Sequence, residues 1–145
     1  MNVPRNLVFV LLAALGGVLG ASLRAGLLTV IPSPDRGFPW VIFLINMVGS
    51  FILGILIQGL TQGELDERKS KQIRLFFGTG ILGGFTTYST FVLQIHDQIA
   101  SDQVVLALSY LLLSLVLGVF CAAAGVLTAS TAMSRKWRAN GQKGR

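Results

Sequence analysis

Charge is scarce in this 145-residue chain, in which charged residues make up 12% of the sequence and hydrophobic residues 52%. A soluble domain usually contains about 25% charged residues, so half of the expected polar surface is missing. The six acidic residues all lie between apolar segments, and none lies within one. This distribution predicts a multi-pass integral membrane protein that has the lipid bilayer as its surroundings.

Cysteine and histidine are almost absent, with one of each, Cys121 and His96. A single cysteine excludes an intrachain disulfide and a cysteine-based metal site. A single histidine cannot supply a zinc centre of the usual kind. Because no nucleophile–base pair or metal cluster can be assembled from such a set, we predict that the chain is not an enzyme.

The net charge of +6 is compatible with nucleic acid binding, but the positions of the charges favour a membrane. Five of the twelve basic residues lie in the last eleven positions, next to an apolar segment. Basic residues that flank a membrane span are expected in such a place. We therefore expect no nucleic acid partner.

Four segments have the length of about 20 mostly apolar residues that a transmembrane helix requires. They cover residues 7–31, 40–60, 75–95 and 104–129. The first resembles a signal peptide, but its apolar run is longer than the core of about 7–15 residues in such peptides. The expected organisation is a four-helix transmembrane domain over residues 1–130 and a basic tail over residues 131–145.

Basic residues are divided unequally between the two sides of the membrane. With four spans, both termini and the middle connection share one side, which holds ten of the twelve Lys and Arg residues. Arg24 and Arg36 fall on the other side. The positive-inside rule therefore predicts that both termini are cytoplasmic.

The third segment departs most from an ordinary membrane helix. Residues 78–91 (GTGILGGFTTYSTF) begin with four glycines in seven positions and contain five consecutive hydroxylated residues. Glycines weaken a helix, and hydroxyls compete for its backbone hydrogen bonds, so we predict a break at residues 83–86. Backbone groups freed there must be buried in protein, line an aqueous path or bind an ion. The alternative is a straight helix whose small residues allow close packing.

Polar and aromatic side chains within the segments suit an anion better than a cation. Phe85, Tyr88 and Phe91 form one stripe, and ring edges can line a path for a small anion, although such a stripe more often serves packing. Asn46 can donate hydrogen bonds to an anion or to a neighbouring helix. Proton-coupled transporters usually need an ionisable group at membrane depth, and no carboxylate is available here. These residues alone leave open a small anion pore or an inert helix bundle.

Three motifs resemble the Fluc/CrcB family of fluoride channels, in order and on the corresponding spans. They are residues 16–24 (GGVLGASLR), 46–51 (NMVGSF) and 78–91. The resemblance implies an all-α membrane protein with four transmembrane helices, a broken third helix and an antiparallel dimer with two fluoride paths. It further implies passive, fluoride-selective efflux that lowers the fluoride concentration in the cytoplasm.

The resemblance also implies a set of site residues. A structural Na+ at the dimer centre would be held by the backbone carbonyls of Gly83 and Thr86. Arg24 would be a vestibule or structural residue. Tyr88 stands where the family usually has Phe. The fluoride path would follow Asn46, Tyr88, Ser89, Thr90, Phe91, Tyr110 and Ser114.

The charge bias conflicts with the implied homodimer. An antiparallel homodimer requires one sequence to insert in both orientations, whereas ten basic residues against two favour a single orientation. We therefore hypothesise that the second subunit is a homologue of opposite bias, with an antiparallel homodimer as the other arrangement. The alternative functions are a coupled small-anion or drug exporter and a non-conducting structural subunit of a heterodimer.

Overall fold

The computed structural model describes residues 5–31, 37–63 and 65–143, with side chains from residue 6 to residue 134 within those ranges. The connection at residues 32–36, which includes Arg36, lies outside the described residues, as does Arg145. The side chains of Arg5 and of the predicted basic tail from residue 135 onward also lie outside them. All regular secondary structure in the described ranges is helical.

Three long helices enclose a series of shorter ones. In chain order the elements are α1 (Arg5–Val30), α2 (Trp40–Gln62), α3 (Glu67–Ile73), a π-helical segment (Arg74–Leu82), α4 (Gly83–Phe85), α5 (Ser89–Ala100) and α6 (Val104–Lys143).

Within the described chain, three helices are long and apolar enough to cross a membrane, namely Asn6–Val30, Trp40–Gln62 and Val104–Ser134. They correspond to the first, second and fourth predicted spans. Only 11% of the most apolar stretch is buried in the first and in the last of these helices. Such wide apolar surfaces require lipid or a second protein to cover them, as expected for a multi-pass membrane protein.

The predicted third span, residues 75–95, is not one long helix in the described structure. It is divided among the π-helical segment, α4 and α5, and residues 86–88 lie between α4 and α5. α5 continues beyond the predicted span, to Ala100. Asp102 then adopts a left-handed φ of 58°. The Gln103 N–H donates to the Gln98 carbonyl over 2.8 Å, which closes the turn into α6.

Glycines allow α1 to pack closely along the π-helical segment and α4. A Cβ atom on Gly80 would lie 2.8 Å from the Cα of Gly16, and a Cβ on Gly84 would lie 3.0 Å from the Ala21 nitrogen. Gly16 and Gly20 both face this seam, and their spacing of four positions places them on one face of α1. The seam leaves no room for side chains at these positions.

The second seam joins α2 to α6 in the same manner. A Cβ atom on Gly54 would lie 3.1 Å from the Val126 nitrogen, and one on Gly125 would lie 3.0 Å from the Ile55 nitrogen. α5 packs on α6 as well. α4 therefore lies against α1, and α5 lies against α6.

The largest buried cluster lies where α2, α4, α5 and α6 meet. Tyr110 and Ile42 are its most enclosed members, with exposed fractions of 0%. Its members are Val41, Ile42, Phe43, Ile45, Met47, Phe85, Phe91 and Tyr110. This cluster fixes the gap between α4 and α5 against the two long helices on either side of it.

Candidate functional site

The gap between α4 and α5 is held by one side chain from α2. Thr86 leaves the helix with an extended backbone, at φ −73° and ψ 156°. Asn46 then pairs with the backbone of Thr87: its Oδ1 accepts from the Thr87 N–H over 3.0 Å, and its Nδ2 donates to the Thr87 carbonyl over 3.2 Å. Because both backbone groups of Thr87 are paired, the chain can remain non-helical where the protein interior offers no water. We call this pair of bonds the Asn46 clamp.

The clamp removes the helical hydrogen bond that the Gly83 carbonyl would otherwise accept. In a continuous α-helix the Thr87 N–H would donate to the Gly83 carbonyl, but here it donates to Asn46. The same happens one turn later, where the Thr90 N–H donates to Thr87 Oγ1 over 3.1 Å and not to the Thr86 carbonyl. The two carbonyls predicted to hold a cation are therefore the two whose helical donors are diverted.

Thr87 lies at the centre of a small hydroxyl network. Its side chain is buried, with an exposed fraction of 7%. Besides accepting from the Thr90 amide, Thr87 Oγ1 donates to Thr90 Oγ1 over 3.1 Å and lies 3.3 Å from Ser89 Oγ. The Thr87 hydroxyl thus binds a backbone N–H in the first turn of α5 and gathers Ser89 and Thr90, two predicted path residues, around it.

A cleft of about 350 Å³ opens beside the gap, and none of the described residues that line it carries a formal charge. Glycines on α2, on the π-helical segment and on α6 keep it open. The Ser114 hydroxyl in its wall is buried and has no hydrogen-bond partner among the described residues. The predicted site residues that line the cleft are Asn46, Gly83, Thr86, Tyr88, Phe91 and Ser114.

The two predicted path aromatics have different surroundings. Phe91 is buried, and its ring centroid lies 5.0 Å from that of Tyr110. Tyr88 is 80% exposed, and its ring centroid lies 6.4 Å from that of Phe91. The Tyr110 hydroxyl donates to Gln94 Oε1 over 3.0 Å, which fixes Tyr110 behind Phe91. Of the three residues of the predicted stripe, Phe85 and Phe91 are therefore buried, and Tyr88 reaches the outer surface of the chain.

Other predicted residues lie next to the cleft or away from it. Ser89 and Thr90 reach it through the hydroxyl network, and Tyr110 reaches it through Phe91. Arg24 lies on α1 and is not among the residues that line the cleft.

Sequence reasoning missed three polar residues of this region. Thr87 was one member of the hydroxyl run and Ser50 part of the second motif, but neither was singled out for a role. Gln94 was not singled out for a role either, and the bond that its Oε1 accepts from the Tyr110 hydroxyl was not predicted. The run of hydroxyls was the signal for Thr87. Its pairing with Asn46 could not be predicted from the local sequence, because the two residues are 41 positions apart.

A cation at the gap would need backbone ligands. The described residues contain no group of three or more His, Cys, Asp or Glu side chains that could hold a metal ion. Carbonyl oxygens are suitable ligands for hard cations, and those of Gly83 and Thr86 have lost their helical donors. The residues present thus fit a hard monovalent cation better than a transition metal.

Comparison with known proteins connects this arrangement to one family. A family model described as CrcB-like protein, camphor resistance (CrcB), matches residues 11–126. The chain is 43% identical over 114 residues to the fluoride-specific ion channel FluC of Deinococcus radiodurans, covering 77% of this chain and 87% of that one. It is 38% identical over 118 residues to the fluoride-specific ion channel FluC 1 of Cutibacterium acnes, covering 81% and 82%. With the fluoride-specific ion channel FluC of Thermus thermophilus the identity is 40% over 116 residues, covering 79% and 90%.

Proposed function

Because the chain belongs to the CrcB family, whose matched relatives are named fluoride-specific ion channels, we propose that it conducts fluoride passively and selectively across the cell membrane. It is a membrane ion-channel protein and not an enzyme. A membrane potential that is negative inside drives an anion outward by about 2.3 kcal/mol per 100 mV. Passive flow therefore suffices to lower the fluoride concentration in the cytoplasm.

The observation that carries this proposal is the unpaired Ser114 hydroxyl. A buried donor without an acceptor is unfavourable, by about 1–3 kcal/mol, unless something occupies the space beside it. Fluoride accepts hydrogen bonds and donates none, so it suits a neutral wall that offers hydroxyl and amide donors. The absence of acidic residues among those that line the cleft also removes a source of repulsion. An exporter that is coupled to protons would lack a titrating group here.

The proposed path uses the residues that surround this hydroxyl. Asn46 and Ser114 would offer donors within the cleft, and the edges of Phe91 and Tyr88 would follow the anion toward the surface. Tyr110 would support Phe91 from behind. The remaining donors would be the hydroxyls of Ser89 and Thr90.

We propose further that the π-helical segment, α4 and α5 together cross the membrane as a single broken third span. Four spans then return the C-terminus to the side of the N-terminus, and the basic residues assign that side to the cytoplasm. The gap between α4 and α5 would lie at membrane depth. The Asn46 clamp supports this reading because it pairs backbone groups that lipid could not.

A structural Na+ fits the freed carbonyls of Gly83 and Thr86. When bound, the ion would supply positive charge near the anion path without any carboxylate at membrane depth. Two carbonyls do not complete the coordination of a hard cation, so a second subunit would supply the others. Tyr88, 80% exposed beside these carbonyls, supports a second subunit against this surface.

The second subunit would lie antiparallel to the first. The bias of basic residues favours one orientation for this chain, so we propose a homologue of opposite bias as its partner. A second copy of this chain in the inverted orientation is the competing arrangement.

Fluoride efflux from liposomes that contain only this purified chain tests the function and the assembly together. A fluoride electrode should register no rapid efflux from the chain alone, and rapid efflux without chloride release once the opposite-bias homologue is added. Rapid efflux by the chain alone would establish the channel and overturn the heterodimer. Silence in both preparations would favour a non-conducting subunit, and a collapsed proton gradient upon fluoride addition would indicate a coupled exporter.

A further inference from the structure

A second, polar cleft lies at the end of the molecule where α1 and α3 begin. It has a volume of about 240 Å³ and is lined by Asn6 and Phe9 from α1 and by Glu67, Arg68 and Lys71 from α3. It is built from different residues than the cleft beside the gap, and the fluoride path makes no use of it. Its lining combines two cationic side chains with one carboxylate, one amide and one aromatic ring.

Lys71 is held in place at this cleft. Its Nζ lies 4.8 Å from the centroid of the Phe9 ring, in a cation–π contact between α3 and α1. Such a contact leaves the ammonium protons on the far side free to bind a further acceptor. Arg68 lies three positions earlier on α3, so both cations lie on the same face of that helix. Together they exceed the charge of Glu67 by one, which leaves the cleft attractive to an anion.

An exposed apolar surface continues from the cleft along α1. Val10 follows Asn6 by four positions and so lies below it on the same face of the helix. Val10 is 63% exposed, and its neighbours Leu7 and Leu11 are 45% and 49% exposed. All three belong to the helix Asn6–Val30, which is apolar enough to cross a membrane. An anion in the cleft that carried a hydrocarbon chain would find an apolar surface directly below it.

We propose that this cleft binds the phosphodiester of an anionic glycerophospholipid, with an acyl chain along α1. Arg68 and Lys71 would contact the phosphate oxygens, and Asn6 would donate to one of them. The Glu67 carboxylate would accept from a hydroxylated headgroup, such as that of phosphatidylglycerol. A free phosphate ion is also an anion, but it has no hydrocarbon chain that could pack on the apolar surface of α1. The site does not depend on fluoride conduction.

Lipid titration of the purified full-length chain in a neutral detergent tests this site. Native mass spectrometry should count one tightly bound phosphatidylglycerol per chain and no comparable binding of phosphatidylcholine. Each basic residue near an anionic membrane surface contributes about a fivefold gain in binding, so the double variant Arg68→Gln/Lys71→Gln should bind about 25-fold more weakly. Lys69→Gln is the matched control, because it removes the same charge from the same helix outside the cleft.

The outcomes distinguish lipid binding in this cleft from non-specific electrostatic attraction of anionic lipid to α3. A loss by Lys69→Gln as large as that by Arg68→Gln or Lys71→Gln would overturn the proposal. Equal binding of phosphatidylcholine, or displacement of phosphatidylglycerol by millimolar inorganic phosphate, would also overturn it. Should the double variant fail to elute as a folded protein, Phe9→Leu keeps the test open. It removes the ring under Lys71 and should weaken phosphatidylglycerol binding by about two- to fivefold.

Discussion

At the scale of single residues, a change at Ser114 should alter the rate of fluoride conduction without destabilising the fold. Its Oγ has no partner among the described residues, so Ser114→Ala removes no hydrogen bond from the folded chain. If fluoride accepts from this hydroxyl, the variant should conduct about tenfold more slowly, since hydrogen bonds to charged groups contribute about 1.5–3 kcal/mol. Fluoride efflux from liposomes that hold the chain with its partner subunit measures the rate, and the unfolding midpoint in detergent should not fall.

Ser109→Ala is the control for this prediction. Ser109 is an exposed serine on the same helix, and its Oγ donates to the Val105 carbonyl over 2.7 Å. Its replacement should leave fluoride efflux at the original rate. An unchanged rate in Ser114→Ala, or a rate that falls only together with the unfolding midpoint, would remove Ser114 from the path.

At this scale, the unusual residues could be recognised from the sequence, but their contacts could not. Asn46 and the hydroxyl run were recognised as unusual because polar groups are rare in apolar segments. Their connection was not foreseen, because the Asn46 clamp binds the backbone of Thr87 and the backbone looks the same in every sequence. The diverted donors of Gly83 and Thr86 follow from that clamp and were equally hidden.

At the scale of helices, the seam between α1 and the π-helical segment predicts opposite effects for two adjacent glycines. A Cβ on Gly16 would lie 2.9 Å from the Cα of Gly80, whereas a Cβ on Gly17 meets nothing within 4 Å. Gly16→Ala should therefore destabilise the fold by about 1–3 kcal/mol through overpacking. Gly17→Ala should be neutral or stabilising, because alanine favours a helix over glycine.

Thermal unfolding of both variants in detergent measures this difference. A lower midpoint for Gly16→Ala alone is the expected result. Equal midpoints for the two variants would mean that α1 does not pack against the π-helical segment in this register.

The long helices were predictable from hydropathy, whereas the division of the third span was predicted from its glycines and hydroxyls. The long apolar helices agree with three predicted spans because about 20 apolar residues are a strong signal. The π-helical segment has no such signal, since its widened turn depends on packing against α1. The extension of α5 to Ala100 was missed because residues 96–100 are mostly polar and were assigned to a connection.

At the scale of the whole molecule, the distribution of basic residues predicts a single orientation. Ten of the twelve lie on the side that holds both termini if four spans cross the membrane. A fluorescent reporter fused to the C-terminus, active only in the cytoplasm, should give signal. A phosphatase reporter at the same position, active only outside, should give none. Equal signals from the two fusions would contradict a fixed orientation and restore the homodimer.

The Asn46 clamp also orders events during synthesis of the chain. Asn46 leaves the ribosome before Thr87, so the amide that secures the gap is already in the membrane when its backbone partner arrives. α6 follows last and brings Ser114, which completes the wall of the cleft, and Tyr110, which packs behind Phe91. A chain that ends before Val104 would therefore contain both partners of the clamp without the α6 side chains of that wall.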